Sequence, residues 1–355
     1  MRIKSKDVAE ALGLSTATVS LAINGKPGVN EVTRQRVLDY VEEMERETYG
    51  VEKARREQTG LVLFMNYNKN GIILGRSDSA GELTQNGKTE HPLLAKMRVA
   101  VQSAGYRFES ITFYEREDDL ERLMRQWQKE KLRGMYVIGA EMTQNDIYPF
   151  LELGVPVVVG DNNYYEQGLD AYLIDNREGI SRAVDYLVDK GHSYIVYLAE
   201  KIDIFNFLER REAFVLEMAK RECGDASNRI MHLGNTVDEV YESMLNYLNS
   251  DGRRPTAFVL ESSVISLGVT KALLEYGLRI PRDISLIGFD ALPEKGLVGF
   301  HLTLVKGTHT NRHLAAVKHL LRHIEDEETE IVRTYYKTRL IEGDSVFDKM
   351  KYIYQ

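Results

Sequence analysis

The stretch 5–24, SKDVAEALGLSTATVSLAIN, limits the chain more than any other, because it encodes two helix starts and one helix stop in close succession. Ser5 is a good N-cap, and Asp7 falls in the first turn, where the helix dipole favours negative charge. Val8, Ala9 and Leu12 then share one face, and Gly13 stops the helix with a residue that tolerates positive φ. Ser15 caps a second helix whose buried side is Val19, Ala22 and Ile23. Asn30 caps a third, in which Val37, Leu38, Val41 and Met44 can close a three-helix core. Two short helices joined by a tight turn containing Gly form a helix-turn-helix pattern. By itself that pattern fits a plain helical hairpin as well as a DNA-binding unit.

The exact residues are more specific. The string KDVAEALGLSTATVSLAINGKPGVNEVTRQRVLDYVEEM resembles the DNA-binding headpiece of the lactose-repressor/galactose-repressor family, with the shared words DVA, the Gly-x-Ser turn, Thr-Val-Ser, Asn-Gly and Val-x-x-x-Thr-Arg-x-x-Val. The resemblance implies an all-α, lambda-repressor-like headpiece over 1–45 and a hinge over 46–60. Its recognition helix would point Thr16, Ala17 and Leu21 at base edges, flanked by Thr18 and Ser20. The hydroxyls of Thr18, Ser20 and Thr33, with Asn24 and helix N-terminal amides, suit phosphate contacts, and the capping residues Ser5, Ser15 and Asn30 belong to the same DNA-facing set. Much of the family has arginine at the position of Leu21; a leucine here favours thymine methyls over guanine. In the family the hinge wedges a leucine into the minor groove, but no leucine occurs between Leu38 and Leu61, and the usual proline is missing. Lys53, Arg55 and Arg56 remain as candidates for phosphates or a narrow groove.

Net charge tests this expectation, since −8 overall argues against a polyanionic partner. Residues 1–38 hold six Lys/Arg against three acids, a net +3, which leaves −11 for the rest. A mildly basic head on an acidic body fits DNA binding by the head alone.

From residue 61 onward, short apolar runs alternate with amphipathic helices. Strands are expected at 61–65, 108–113, 134–138, 155–160, 171–174, 194–198, 257–260 and 285–289, with helices at 93–104, 120–131, 180–190, 210–220, 237–248, 266–276 and 312–323. Such alternation gives parallel, doubly wound sheets, and about 290 residues divide more comfortably into two lobes than one. Residues 75–90 read as a polar loop. The words VPVVVGD (155–161), DN and GISRAVDYLVDKGH (175–192), RREAF (210–214), the run 255–268 and GLRIPRDISLIGFD (277–290) resemble the periplasmic-binding-protein-like domain of the same family. The lobes are then expected at about 61–165 plus 291–306, and 166–290 plus 307–345. Carried over, the effector-binding set is His91, Asp161, Arg210, Ser263 and Asp290. Arg210 matches an arginine that holds a ligand hydroxyl or carboxylate, whereas Ser263 replaces a usual Asp, Ser262 a usual Asn, Gly307 a frequent Gln and His91 a frequent aromatic.

Other chemistry finds little support. Cys223 is the single cysteine, which excludes a disulfide framework and a Cys-based zinc site. His301, His309, His313, His319 and His323 cluster in sequence, and 309/313 and 319/323 have the i, i+4 spacing of metal ligands. That segment has no carboxylate before Glu325, so a helix surface explains it more simply, and no metal or cofactor is expected. Trp127 reads as packing. No phosphate-binding glycine loop or nucleophile elbow follows a strand, and there is no apolar run of signal-peptide or membrane-span length. The expected protein is a cytoplasmic DNA-binding repressor and not an enzyme. It would act as a homodimer or tetramer on a palindromic operator, under control of a sugar-like effector. A sugar-binding module without DNA, or an α/β enzyme of sugars or nucleotides, are the alternatives.

Overall fold

The computed structural model describes residues 5–23, 26, 28–30, 32–41, 60–69, 92–289, 299–307, 309–325 and 330–352. Asn24, Met44, Arg55, Arg56, the stretch 75–90, His91 and Asp290 lie outside them, as does the hinge up to residue 59. The chain divides into two compact units, Met1–Gly60 with Val99–Arg107, and Leu61–Arg98 with Phe108–Gln355.

In the first unit, α1 (Ser5–Leu12) and α2 (Thr16–Ile23) precede a helix over 32–41, here α3. Gly13 takes φ +66°, and Leu14 N–H reaches back to Ala9 O at 2.9 Å, which ends α1 as the glycine implied. Val8, Ala9, Val19, Ala22 and Val37 form a buried core, with Leu12, Leu14, Val29, Tyr40 and Val41 packed around it. Two expectations fail: Ile23 is 41% and Leu38 39% exposed. Each follows a core residue by one position, and a step of 100° round the helix carries it off the buried stripe.

The second unit holds two six-stranded sheets. In chain order its elements are β1 (Leu61–Asn68), α4 (Pro92–Ser103, entering the first unit), β2 (Arg107–Tyr114), α5 (Leu120–Lys129), β3 (Leu132–Ile138), α6 (Tyr148–Leu151), β4 (Val157–Gly160) and β5 (Asp170–Ile174). Then follow α7 (Asn176–Asp189), β6 (Ile195–Ala199), α8 (Phe205–Lys220), β7 (Ile230–His232), α9 (Val237–Leu248), β8 (Ala257–Leu260), α10 (Ser263–Glu275) and β9 (Ser285–Phe289). The chain ends in β10 (Thr303–Gly307), α11 (His309–Glu325), β11 (Arg333–Tyr336) and β12 (Thr338–Ile341). One sheet runs β11-β5-β4-β3-β1-β2 and the other β12-β10-β9-β8-β6-β7. Apart from the antiparallel β10–β12 pair, the strand pairs described are parallel.

The period-2 alternation of strands explains why these segments read as unbroken apolar runs. Ile195 and Tyr197 of β6 face a core with Phe214 of α8 and Val184 of α7, while Val196 and Leu198 face the opposite one with Val240 of α9 and Val269 of α10. In the first lobe, Leu63, Met65, Met135, Val137 and Val159 pack round Trp127 and Phe150, which places Trp127 in the core as expected.

The lobe boundaries need correction. The β5 strand pairs with β4 and so belongs to the first lobe, and β10 pairs with β9 in the second, whereas α11 packs on β3, β4 and β5. The chain therefore crosses between sheets after residues 174, 307 and 336, not at 166, 291 and 307. Hydrophobic pattern identifies a strand without saying which sheet receives it. Bare glycines let two of these helices approach closely. A Cβ on Gly134 would meet Ile324 Cδ1 of α11 at 2.9 Å, and one on Gly179 of α7 would lie 2.9 Å from the Phe289 ring and 3.0 Å from Val305 Cγ1. Gly179→Ala is expected to lower stability by about 1–3 kcal/mol despite its better helix propensity, because a packed core resists an extra methyl. Urea unfolding at equilibrium checks this; an unchanged or higher midpoint would contradict the packing described.

Candidate DNA-reading helix and interlobe site

The start of α2 is built by its cap. Ser15 Oγ accepts from Thr18 N–H at 3.0 Å and pairs with Thr18 Oγ1 at 2.8 Å. Ser15, Thr16, Ala17 and Ser20 are exposed, while Val19 and Ala22 turn inward. Leu21 is half-buried, and a Cβ added to Gly28 would lie 3.5 Å from its Cδ1. Asn30 Oδ1 accepts from Thr33 N–H at 2.7 Å and caps the next helix. Ser5 opens α1, and Asn24, Arg55 and Arg56 are outside the described residues.

Arg34 has a job that the sequence did not suggest. Its Nη1 donates to Leu21 O at 3.4 Å and Ala22 O at 3.2 Å, and its Nη2 to Lys26 O at 2.7 Å. The guanidinium thus gathers carbonyls at and just beyond the C-terminal end of α2, where a cation also complements the helix dipole.

Parallel strands bring their carboxyl ends to one edge of each sheet, and the side chains that follow them make the second site. After β4, Asp161 stands in the left-handed region at φ +61° and is held by Arg312 of α11. Arg312 is 1% exposed; its Nη1 and Nη2 donate to the two carboxylate oxygens of Asp161, the latter at 3.1 Å, and Nη1 also donates to Tyr172 O at 3.3 Å. Beside it, His313 accepts from Arg312 at Nε2 (3.3 Å), which puts its proton on Nδ1, 2.6 Å from Tyr136 Oη.

Across from these groups lies the second lobe. Asn206 Nδ2 of α8 donates to Asp161 O at 3.4 Å, a direct link between lobes. Asn176, fully buried at the start of α7, donates to Asn206 Oδ1 (2.8 Å) and Glu209 Oε2 (3.0 Å) and accepts from Arg210 Nε at 2.9 Å. Arg210, 2% exposed, also donates from Nη1 to Glu261 O at 2.8 Å and stacks 3.6 Å over the Phe289 ring. Arg211 grips Glu261 at both oxygens (2.7 and 3.0 Å) and reaches Asp203 at 2.6 Å. Ser263 is half-buried as the first residue of α10, next to Ser262, which caps that helix and donates to Glu200 Oε1.

Of the expected effector set, the fold therefore gathers Asp161, Arg210 and Ser263 at the facing strand ends; His91 and Asp290 are outside the described residues. Asp161 serves as an anchor for Arg312. Sequence reasoning passed over Asn206, Glu209, Arg312 and Glu200. Asn176 lay inside the quoted word DN, and a polar Asn before an amphipathic helix was its only local signal.

Glu200 is electrostatically distinct. It is fully buried, its Oε2 has no hydrogen-bond partner among the described residues, and Arg211 is committed to Glu261. Burial pushes its carboxyl up to about 7, with the Glu261 charge adding to the rise and Ser262 opposing it.

Residues 5–45 match the model of bacterial regulatory proteins of the lacI family, and 184–346 match the periplasmic binding protein-like domain. The HTH-type transcriptional repressor PurR of Glaesserella parasuis serovar 5 is 27% identical over 92% of this chain and 91% of its own length. The HTH-type transcriptional regulator MalR of Clostridium butyricum is 25% identical over 97% of this chain and 99% of its own. Among solved structures, a transcriptional regulator CelR–cellobiose complex aligns with a TM-score of 0.63 at 22% identity, covering 97% of this chain and all of that one (100%). A lac repressor dimer bound to operator and the anti-inducer ONPF aligns with a TM-score of 0.64 at 17% identity, covering 98% and 100%. These two likenesses carry the fold.

The Glu200 carboxyl yields a pH prediction. Its folded pKa is raised above the unfolded value, so its stabilising effect is full below about pH 4.5 and is lost as pH rises through about 7. Relative to the wild type, Glu200→Gln should therefore gain stability on going from pH 5 to pH 8, by on the order of 2–3 kcal/mol. Parallel urea titrations at the two pH values measure the difference; a constant offset would mean that Glu200 is ionised throughout.

Proposed function

We propose that this chain, a lacI-family regulator made of a helix-turn-helix head and a periplasmic-binding-protein-like body, represses transcription as a homodimer on a palindromic operator under control of a small hydroxylated effector. The relatives and solved neighbours named above are transcriptional regulators, not enzymes, and its assignment as a DNA-binding repressor rests on them and on the lacI match over 5–45. The observation that carries the finer reading is the exposed, hydroxyl-rich start of α2, held by the Ser15 cap in a helix whose other end Arg34 secures. One short helix reads few base pairs, so two heads on a two-fold operator supply the area a specific site requires. A dimer is also the form named for the operator-bound lac repressor neighbour. Among the described residues no helix is long and apolar enough to cross a membrane, and a protein that binds operator DNA would work in the cytoplasm.

A sugar-like effector between the lobes is supported by the polar set Asn176, Asn206, Arg210 and Ser263 and by the cellobiose complex among the fold neighbours. Binding there would change how the lobes close, and through the linked heads the population competent for DNA.

Two substitutions test the two halves. Leu21→Arg should shift base preference at one operator position by about 1–3 kcal/mol towards guanine. A randomised-site selection reads it, and an unchanged motif would remove α2 from the role of reading helix. Arg210→Lys keeps the charge but loses the planar fork. It should abolish the response of operator binding to sugar while leaving operator affinity in its absence near that of the wild type, as followed by fluorescence anisotropy. A full response in this variant would take Arg210 out of the effector site.

A further inference from the structure

We propose that Asp170, His319 and His323 form a site for a divalent transition ion of the zinc type. His319 and His323 are one turn apart on α11, and Asp170 is the first residue of β5, on which that helix packs. His319 Nε2 lies 3.2 Å from Asp170 Oδ1, His323 Nε2 lies 3.0 Å from Asp170 Oδ2, and the two Nε2 atoms are 2.9 Å apart. Tetrahedral zinc with bonds of about 2.0–2.2 Å sets its ligand atoms about 3.3–3.6 Å apart. A few tenths of an ångström of expansion would seat the ion.

With Asp170 as a carboxylate, protons cannot satisfy this triangle. A carboxylate only accepts, and each neutral imidazole Nε2 is either donor or acceptor. If both histidines donate to Asp170, two N–H groups face each other at 2.9 Å. If one donates and the other accepts, a nitrogen lone pair faces a carboxylate oxygen. One cation at the centre uses all three lone pairs together. Two imidazoles and one carboxylate favour zinc and its transition-metal neighbours over calcium or magnesium, which prefer oxygen alone.

The surroundings fit an open metal site. Asp170 is 4% exposed, and its Oδ1 accepts from Val332 N–H at 2.7 Å, which fixes the carboxylate. A cavity of about 610 Å³, lined in part by His319, Arg322, Glu325 and Glu330, gives room for a fourth ligand such as water. Arg322 Nη2 now donates to His319 Nδ1 at 2.8 Å. Metal on Nε2 requires the proton on Nδ1, so Arg322, which is exposed, must turn away when the ion binds. The site is separate from the interlobe one: His323 is eleven residues from Arg312, about 16 Å along the helix.

The test uses the full chain without an affinity tag, stripped with a chelator and equilibrated with zinc chloride by dialysis. One ion per chain is expected, with a Kd of micromolar or below. His323→Ala and Asp170→Asn should each weaken binding at least tenfold, Arg322→Ala should bind no more weakly than the wild type, and His301→Ala, away from the site, should be unchanged. Thermal melts verify that each variant folds. Should His323→Ala not fold, cobalt(II) decides: its visible absorption in a low-coordinate site should appear in the wild type and vanish in Asp170→Asn. Absence of stoichiometric binding overturns the proposal, as does binding that survives both ligand substitutions.

Discussion

The Asp161–Arg312 pair fastens α11 to the first lobe at the edge that faces the second. Removing a guanidinium from water is costly, and only a fully engaged partner offsets that cost. Here both η nitrogens find Asp161, and the carbonyl of Tyr172 takes up a further donor. The bond does three things at once. It seats α11 on the first sheet directly after the chain has crossed from the second, and it holds Asp161 in the left-handed region, turning its carbonyl towards Asn206 of the other lobe. It also sets the phase of α11, so that His313 meets Tyr136 and, two and three turns later, His319 and His323 meet Asp170.

In the second lobe, unequal sharing of two arginines creates a neutral acid among charges. Arg211 closes on both oxygens of Glu261, while Arg210 spends Nε on Asn176 and Nη1 on the Glu261 carbonyl. Glu200 is left with a serine hydroxyl and keeps its proton to about pH 7. A buried acid without a cation lowers its cost by staying protonated. If the effector is the neutral hydroxylated molecule proposed above, it meets hydrogen-bond donors here without having to neutralise a carboxylate.

Much of this was legible in the sequence. The helix stops and caps of the head are local chemistry, and Gly13, Ser15 and Asn30 act as their residue types imply. The long apolar strands also emerge, because burial on both faces leaves no polar interruption. The strands β7, β10, β11 and β12 were missed. TLVKG, RTYY and TRLI are short and mix polar with apolar residues, and only pairing with distant partners makes them strands. The grouping of Asp170 with His319 and His323 was hidden for a related reason. The carboxylate was sought near His319 in sequence, and the fold supplied it from β5, 149 positions upstream.

The charge split between head and body takes on a different meaning once Arg34 is placed. One of the six cations behind the head's +3 is committed to carbonyls at the end of α2, so it holds that helix together and would add little to an attraction for phosphates. The face of α2 that remains is made of Ser15, Thr16, Ala17 and Ser20, with Leu21 leaning towards Gly28. Short hydroxyls and methyls act only at contact distance, whereas long-range attraction depends on net charge. If the head reads DNA as proposed, a surface of this composition would gain specificity from fit more than from electrostatic pull, and the shortfall in attraction would fall on the pairing of two heads. In the proposed dimer, the spacing between heads would then be the most sensitive point at which an effector could act.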